Sequence, residues 1–404
     1  MTSAEAQEAA TLVPASSALR VFLDCNPCDF DYLRREVPYV DYVRDRKDAE
    51  LHILATTQGT GSGGTEYVFR FIGLGRFQGQ DDELKFTAAQ TDTGDERRRG
   101  YVRVIQLGLI RYVMSTPSAD NLEVVYRPPR AVGAPVATPA NDPWNYWSFR
   151  IRGSGSVGGE TSSTSRNWSS SFTANRTTEA WKVNTSGNLN FRDNTYTLSD
   201  GEVITDRSHD HNANALVVKS LGPHWALAGR ARVASVTFLN QDLATRVGGG
   251  IERSVFPYAQ SSRRELVFQL TTNVNWFKYN ETTIYGKDEE TVADAMLLAF
   301  FEVRQPWGAS GISFETAMYL HDPSRYRVVF NGDLEVRLFK GFSLSTDGSI
   351  SRIHDQLYLP AGDATDEEIL LRRRQLATSY RYRFSVGLSY TFGSIFNNIV
   401  NTRF

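Results

Sequence analysis

No stretch of the 404 residues approaches the roughly 18 consecutive apolar side chains that a membrane-crossing helix needs, so a helical membrane protein is excluded. Net charge is nearly absent as well. Lys+Arg 44 against Asp+Glu 46 leaves −2, so no global field points to nucleic acid or to an acidic partner, and any electrostatic specialisation is local. Met1 to Ser17 lacks the charged region and apolar core of a secretory signal. An exported chain would have carried one, so the signal is expected to have been trimmed or the start misassigned. Cysteine is confined to Cys25 and Cys28. Repeats of 40–50 residues are missing, which counts against a soluble propeller. What is present, 41% hydrophobic and 22% charged residues, suffices for two or more buried cores.

Composition divides the chain into 1–18, an irregular start; 19–130, a small α/β domain; 131–146, a linker; 147–392, an all-β region; and 393–404, a tail. In the first domain Leu19–Leu23 and Glu50–Thr57 read as strands and Asp29–Val37 as a helix stopped near Pro38. The Gly59–Gly64 cluster reads as a hairpin turn into Glu66–Leu74, because glycine supplies the positive φ of tight turns. A helix opened by Asp95 runs from Glu96 to Met114, with Val104, Leu107, Leu109, Ile110 and Val113 at helical spacing. Leu84–Ala88 and Leu122–Tyr126 read as further strands. Pro128 to Pro143 holds five prolines and reads as an extended linker.

Beyond Trp147 the period is two. In the last segment Tyr380, Tyr382, Phe384, Val386, Leu388, Tyr390 and Phe392 take one face, and Arg381, Arg383, Ser385, Gly387, Ser389 and Thr391 the other. Successive strand side chains point to opposite faces, so one side of this sheet is greasy and the other wet. The same split recurs in Trp147–Val157 and Arg327–Leu338. With Trp168–Asn175, Trp181–Arg192, Asn212–Lys219, Trp225–Phe238, Thr245–Val255, Leu266–Lys278, Ala295–Arg304, Ile312–Leu320 and Phe342–Ser351, about twelve strands are expected. Asn212–Lys219 is the weakest. Tight turns at Thr177–Ala180, Gly222–Pro223, Pro306–Gly308 and Lys340–Gly341 alternate with longer polar loops at Asp193–His211, Tyr279–Thr291 and Pro360–Ser379. Aromatics near strand starts, Trp144, Tyr146, Trp147, Trp181 and Trp225, fit an interfacial girdle. The expected fold class is an all-β transmembrane antiparallel barrel preceded by a small α/β domain. The expected location is a Gram-negative outer membrane with the first domain in the periplasm.

Two resemblances follow. The segment Ser385–Phe392 (SVGLSYTF) resembles the C-terminal targeting strand of outer-membrane barrels, ending on an aromatic. This implies recognition by the barrel-assembly machinery, with Tyr390 and Phe392, or the terminal Phe404, as the recognised end. The first domain, through Asp48–Thr57, its glycine turn, Glu66–Ile72 and Gln106–Tyr112, resembles the N-terminal α/β domain of TolB and related CsgG-like periplasmic domains. That resemblance implies protein contacts in the periplasm and no chemistry.

Candidate sites are few. Cys25-Asn26-Pro27-Cys28, between a strand and a helix, has the local context of a thiol-exchange motif, but the domain does not continue as a thioredoxin does, which favours a structural disulfide or a reduced pair. His209, Asp210 and His211, with Asn212 and Asn214, invite a metal or hydrolase reading; a solvated loop is the simpler one. Gly59–Gly64 lacks the lysine and helix of a phosphate loop. Arg97, Arg98 and Arg99 read as a solvated helix face. No catalytic constellation, cofactor or metal is singled out, so an enzyme is not expected, with a lipid hydrolase as the third-ranked function. The wet face is the most informative. Arg150, Arg152, Lys182, Arg192, Arg230, Arg232, Arg246, Arg381 and Arg383 make a basic wall, opposed by Glu252, Glu302, Glu315, Asp333, Glu335 and Asp347. Such a wall selects permeating ions or pairs into a network that fills a closed barrel. The leading expectation is a passive channel or structural barrel for small polar or anionic solutes with a periplasmic docking or gating domain. The alternative is a non-conducting anchor whose first domain binds an envelope protein.

Overall fold

The structure is a computed structural model, which describes residues 18–123, 125, 142–362 and 376–396. It consists of a twelve-stranded antiparallel sheet and a separate small α/β domain with a five-stranded sheet of its own.

The small domain contains β1 (Leu19–Asp24), α1 (Phe30–Glu36), β2 (Val40–Tyr42), β3 (Leu51–Gly59), β4 (Thr65–Gly73), β5 (Asp82–Ala88) and α2 (Gly94–Val113), with sheet order β2-β1-β3-β4-β5. One face of the sheet, carrying Leu19, Val21, Leu23, Leu51, Ile53, Tyr67, Phe69 and Phe71, packs with Val102, Ile105, Leu109 and Tyr112 of α2 into one core. Helix α2 starts at Thr93 rather than at Asp95, through a capping box in which the Thr93 hydroxyl and the Glu96 carboxylate satisfy each other's backbone amides. Cys25 and Cys28 are disulfide-bonded and belong to this core. The short β2 was not expected. The expected strand at Leu122–Tyr126 is not formed at Leu122 or Glu123, and Val124 and Tyr126 lie outside the described residues.

Close packing makes two helix glycines obligatory. A Cβ at Gly108 would overlap the Phe71 ring, and one at Gly100 the Phe86 ring. Gly108→Ala improves helix propensity by about 1 kcal/mol, but overpacking a core typically costs about 1–3 kcal/mol. A net loss of stability is therefore expected, seen as faster amide exchange throughout α2; slower exchange would contradict this packing.

The twelve expected strands appear one for one: β6 (Trp147–Glu160), β7 (Ser163–Thr177), β8 (Trp181–Thr197), β9 (Val203–Ser220), β10 (Trp225–Val236), β11 (Gln241–Ser254), β12 (Arg264–Tyr279), β13 (Glu289–Gln305), β14 (Gly308–Tyr319), β15 (Asp322–Phe339), β16 (Phe342–Ile353) and β17 (Tyr380–Tyr390). Each pairs antiparallel with the next, and β6 and β17 are the two edges, with no hydrogen-bonded pairs joining them among the described residues. Most strands are longer than their alternating cores. The expected loop at Asp193–His211 shrinks to 198–202, so His209, Asp210 and His211 lie within β9 rather than in a solvated loop. The alternation of short and long connections holds only in part, since 161–162 and 320–321 are as tight as the turns at the opposite end.

Sidedness is inverted relative to a water-soluble sheet. Along β12, Thr271, Asn273 and Asn275 are 4%, 3% and 0% exposed, whereas Phe268, Leu270 and Trp276 are 42%, 52% and 44% exposed. A soluble domain buries its apolar side chains; the middle of this sheet shields its polar ones, while on the edge strands β6 and β17 both faces are exposed. Of the targeting-strand residues, Tyr390 and Phe392 are exposed with the apolar face, and Phe404 lies outside the described residues.

Candidate functional site

The strand registers put the charged residues singled out from the sequence on one face. Arg150 pairs with Thr173, Thr173 with Ser186, Ser186 with Asn214, Asn214 with Arg232, and Arg232 with Arg246. Arg246 is opposite Asn275, which is opposite Val292. Arg152, Lys182, Arg192 and Arg230 lie at even spacing from members of this row and so share its face. The register likewise continues from Glu302 and Glu315 through Asp333 and Glu335 to Asp347, Arg381 and Arg383.

The two halves of this face differ. On β6 to β9 the side chains between the cations are hydroxyls and amides that bond to one another: Ser154 with Ser169 at 2.8 Å, Asn188 donating to Asn212 at 3.0 Å, and Asn214 to Asn212 at 2.9 Å. On β11 to β17 acids and bases pair. Asp294 accepts from Asn273 (2.7 Å) and Asn275 (2.6 Å) and faces Arg246 at 3.2 Å. Glu302 pairs with Arg304, Glu315 with Arg327, and Asp347 with Arg383. No acidic partner within 4.0 Å is found for Arg150, Arg152, Lys182, Arg192, Arg230 or Arg232 among the described residues. Arg232 sits directly across the strand pair from Arg246, a like-charge arrangement that destabilises a sheet.

On the opposite, apolar face, aromatics gather at the end of the sheet bearing the turns at 178–180, 222–223 and 306–307. Lys219 lies over the Trp181 ring at 5.5 Å and Arg253 over Trp225 at 5.2 Å. Apolar bodies with charged tips suit a boundary between hydrocarbon and water. His209 and His211 point to this face, where His211 meets the Phe191 ring at 5.0 Å, so the side chain of Asp210 projects away from both. No group of three or more metal-ligating side chains occurs among the described residues.

The α/β domain covers that same end. The sheet face away from its helices carries Phe22, Asp24, His52, Leu54, Thr56 and Val68, and Phe22, His52, Leu54, Thr56 and Val68 are buried although no helix of the domain covers them. The large sheet supplies the cover. Arg337 of β15 grips Asp24 with two bonds, at 2.7 and 2.8 Å, and lies over the Phe22 ring at 5.2 Å. Lys340 pairs with Asp48, the Gly341 amide donates to Asp45, and Arg304 donates to the Thr57 carbonyl. Past β17, the Arg44 guanidinium donates to the carbonyl of Phe392, and its amide to that of Ile395. Gly61 lies so close to Thr177, at the end of β7, that a Cβ there would overlap it. One small domain thus touches strand ends from both halves of the large sheet. Between them lies a cavity of about 690 Å³, lined by Asp24, Asn26, Thr56, Arg304, Glu335 and Arg337 among others.

Electrostatics make this contact sensitive to acid. Burial opposes charge on Asp24, but hydrogen bonds from His52 and Arg337 outweigh it and hold the carboxyl at about 2, below its usual 3.8. Burial pushes His52 below its usual 6.5, against the pull of Asp24. Both shifts act in one direction. As pH falls through 6.5, a released His52 takes up a proton that the docked one does not. A released Asp24, which keeps His52 but loses Arg337, likewise takes up a proton at a higher pH than the docked one, and the contribution of Asp24 to docking is lost as pH approaches about 2. Between pH 7 and 5 the amides of Arg44 and Gly341 are therefore expected to lose protection from hydrogen exchange, after correction for the intrinsic rate; constant protection would contradict this role of His52.

No protein-family model matches the chain, and no curated protein does. Among solved structures, the NanC porin in a rhombohedral crystal form is similar over 60% of this chain and 99% of that chain, at 7% identity and a TM-score of 0.29. So slight a likeness carries no argument.

Proposed function

We propose that the protein is an outer-membrane β-barrel channel for small polar solutes, with a preference for anions, whose short-turn end is capped by the α/β domain. The observation that carries this reading is the inversion at the middle of the large sheet, around β12: polar side chains shielded, apolar side chains exposed. In water such an arrangement is unfavourable by about 25 cal/mol for every Å² of apolar surface left exposed; in a bilayer it is the arrangement of lowest energy. Closure of the sheet joins its edges β6 and β17, adds Arg381 and Arg383 to the wall that carries Arg150 and Arg152, and removes the last unpaired backbone from lipid. Two features support closure. The even strand number returns both edges to one end, and the α/β domain reaches both Thr177 and Phe392. The cations of β6 to β10 that lack acidic partners supply the anion preference. The apolar side of β17 is the surface offered to the barrel-assembly machinery.

The docked domain favours a second reading, a non-conducting anchor whose helix-bearing face binds an envelope protein, because the other sheet face is already occupied. Conductance of the refolded full-length protein in a planar bilayer separates the two. The channel reading expects discrete steps with anion preference, weakened by neutralising Arg150 and Arg152. A correctly inserted protein that stays silent even after Arg337→Ala releases the domain would leave the anchor.

A further inference from the structure

At the end of the large sheet opposite the α/β domain, three connections are tied into one body. Asn240, with φ of 55°, is 5% exposed and closes the β10–β11 turn. Its side-chain amide donates to the carbonyls of Glu281 (2.8 Å) and Tyr358 (3.1 Å), and its side-chain oxygen accepts from the Glu281 amide at 2.8 Å. The β12–β13 loop (280–288) and the start of the β16–β17 connection also pair with each other. Thr283 bridges Pro360, Ile284 donates to the Leu359 carbonyl at 2.8 Å, and Ala361 to the Thr282 carbonyl at 2.7 Å.

The position of this body decides what it can do. Leu357 is 5% exposed and packs against Val292, Tyr319 and Phe277. Those three lie on the polar face: Val292 opposite Asn275, Tyr319 opposite Asp294, and Phe277 two residues beyond Asn275. Starting from the end of β16, the segment has crossed to β12, about 19 Å along the sheet at four strand spacings. It therefore lies inside the curve of the sheet, over the half of the face that holds acids. Asp294 is 4% exposed beneath it, Glu290 is engaged by the Tyr279 hydroxyl at 2.7 Å, and Asp355 of the segment itself faces Arg327 at 3.8 Å. Among the described residues this body does not extend over β6 to β9, with their hydroxyls, amides and cations.

We infer that this strap, positioned by Asn240 and seated by Leu357, sets the charge selectivity of the channel by screening the carboxylates Glu290 and Asp294 of β13 from the permeation path and confining solutes to the cationic half. The inference rests on the channel reading. It makes Asn240 a positioning residue and Leu357 a specificity-determining one. A strap that only narrowed the pore would change conductance alone, whereas one that screens the acidic wall changes conductance and ion preference together.

The test is single-channel conductance and reversal potential in a potassium chloride gradient, using the full chain in planar bilayers. Asn240→Ala is expected to raise conductance severalfold and to shift the reversal potential toward cations. On that background, Thr283→Cys with Pro360→Cys, oxidised to pin the two loops, is expected to restore both values. Leu357→Gly leaves the loop hydrogen bonds in place and provides the same readout if Asn240→Ala fails to insert. Unchanged reversal potential in a variant whose Ala361 amide exchanges freely overturns the strap and leaves the channel standing. Silence from every variant, with the α/β domain also released by Arg337→Ala, overturns the channel and the strap together.

Discussion

Leu270→Arg is expected to lower the stability of insertion into bilayers sharply, while Ser186→Arg is tolerated. Leu270 lies at the middle of β12 on the apolar face and is 52% exposed. A guanidinium at that depth in hydrocarbon costs roughly 2–4 kcal/mol, a large share of a typical folding stability of about 5–15 kcal/mol. Ser186, mid-strand in β8, is on the polar face between Thr173 and Asn214, where a charge meets water and amides. The comparison is sharp because its sign depends on the solvent. On a soluble sheet, Leu270→Arg would remove an exposed apolar side chain and improve solubility. The measurement is the folded fraction in lipid vesicles, read from the mobility difference between heated and unheated samples on electrophoresis. Equal insertion of both variants would contradict the assignment of the apolar face to lipid.

Arg337→Ala is expected to undock the α/β domain. It removes both hydrogen bonds and the cation lying over Phe22, and leaves the Asp24 carboxylate, 20% exposed, with His52 as its remaining close partner. Truncating one member of a desolvated, hydrogen-bonded charge pair costs roughly 2–5 kcal/mol, equivalent to a fall in the docking constant by a factor of about 30 to several thousand. Arg337→Lys keeps the charge but not the two-pronged geometry, so an intermediate loss is expected. Lys340→Ala breaks an ion pair whose lysine is 48% exposed and is expected to cost less than about 1 kcal/mol. Deuterium uptake at Phe22, His52 and Leu54 in the folded protein ranks the three variants. Equal uptake in all of them would show that the domain is held elsewhere.

How much of this was legible in the sequence follows from the range over which each feature is encoded. The strands of the large sheet were legible because alternation is local and repeats along each of them, as in β17, where tyrosines, phenylalanine, valine and leucine alternate with arginine and serine. Their ends were not. Past the apolar band, at Asn194–Thr197 and Val203–Asp210, both faces meet water and the alternation fades. For that reason the two histidines of β9 looked like loop residues, and the sequence reading located only the inner part of β9. Strand β2, three residues long after Pro38, is too short to display any period, and it is specified by its parallel pairing with β1. The α2 cap was misplaced by two residues because Thr93 and Asp95 are both good capping types, and only the reciprocal bond with Glu96 distinguishes them. The basic and acidic residues were legible as a face, because parity along a strand suffices for that. Their division into an unopposed half and a paired half was not, since it depends on registers across neighbouring strands. The grip of Arg337 on Asp24 joins residues 313 positions apart, and the bond from Asn240 to Tyr358 spans 118. Nothing in the local pattern of either segment announces the other.

Fluorescence quenching by lipids brominated along their acyl chains most directly tests the central claim, that the exposed apolar face of the large sheet lies against hydrocarbon. Trp168 and Trp276 are 48% and 44% exposed on that face. In vesicles, with each kept as the sole tryptophan, the account predicts blue-shifted emission that is strongly quenched by bromine near the middle of the chain. Emission characteristic of water, indifferent to the brominated lipid, would contradict it.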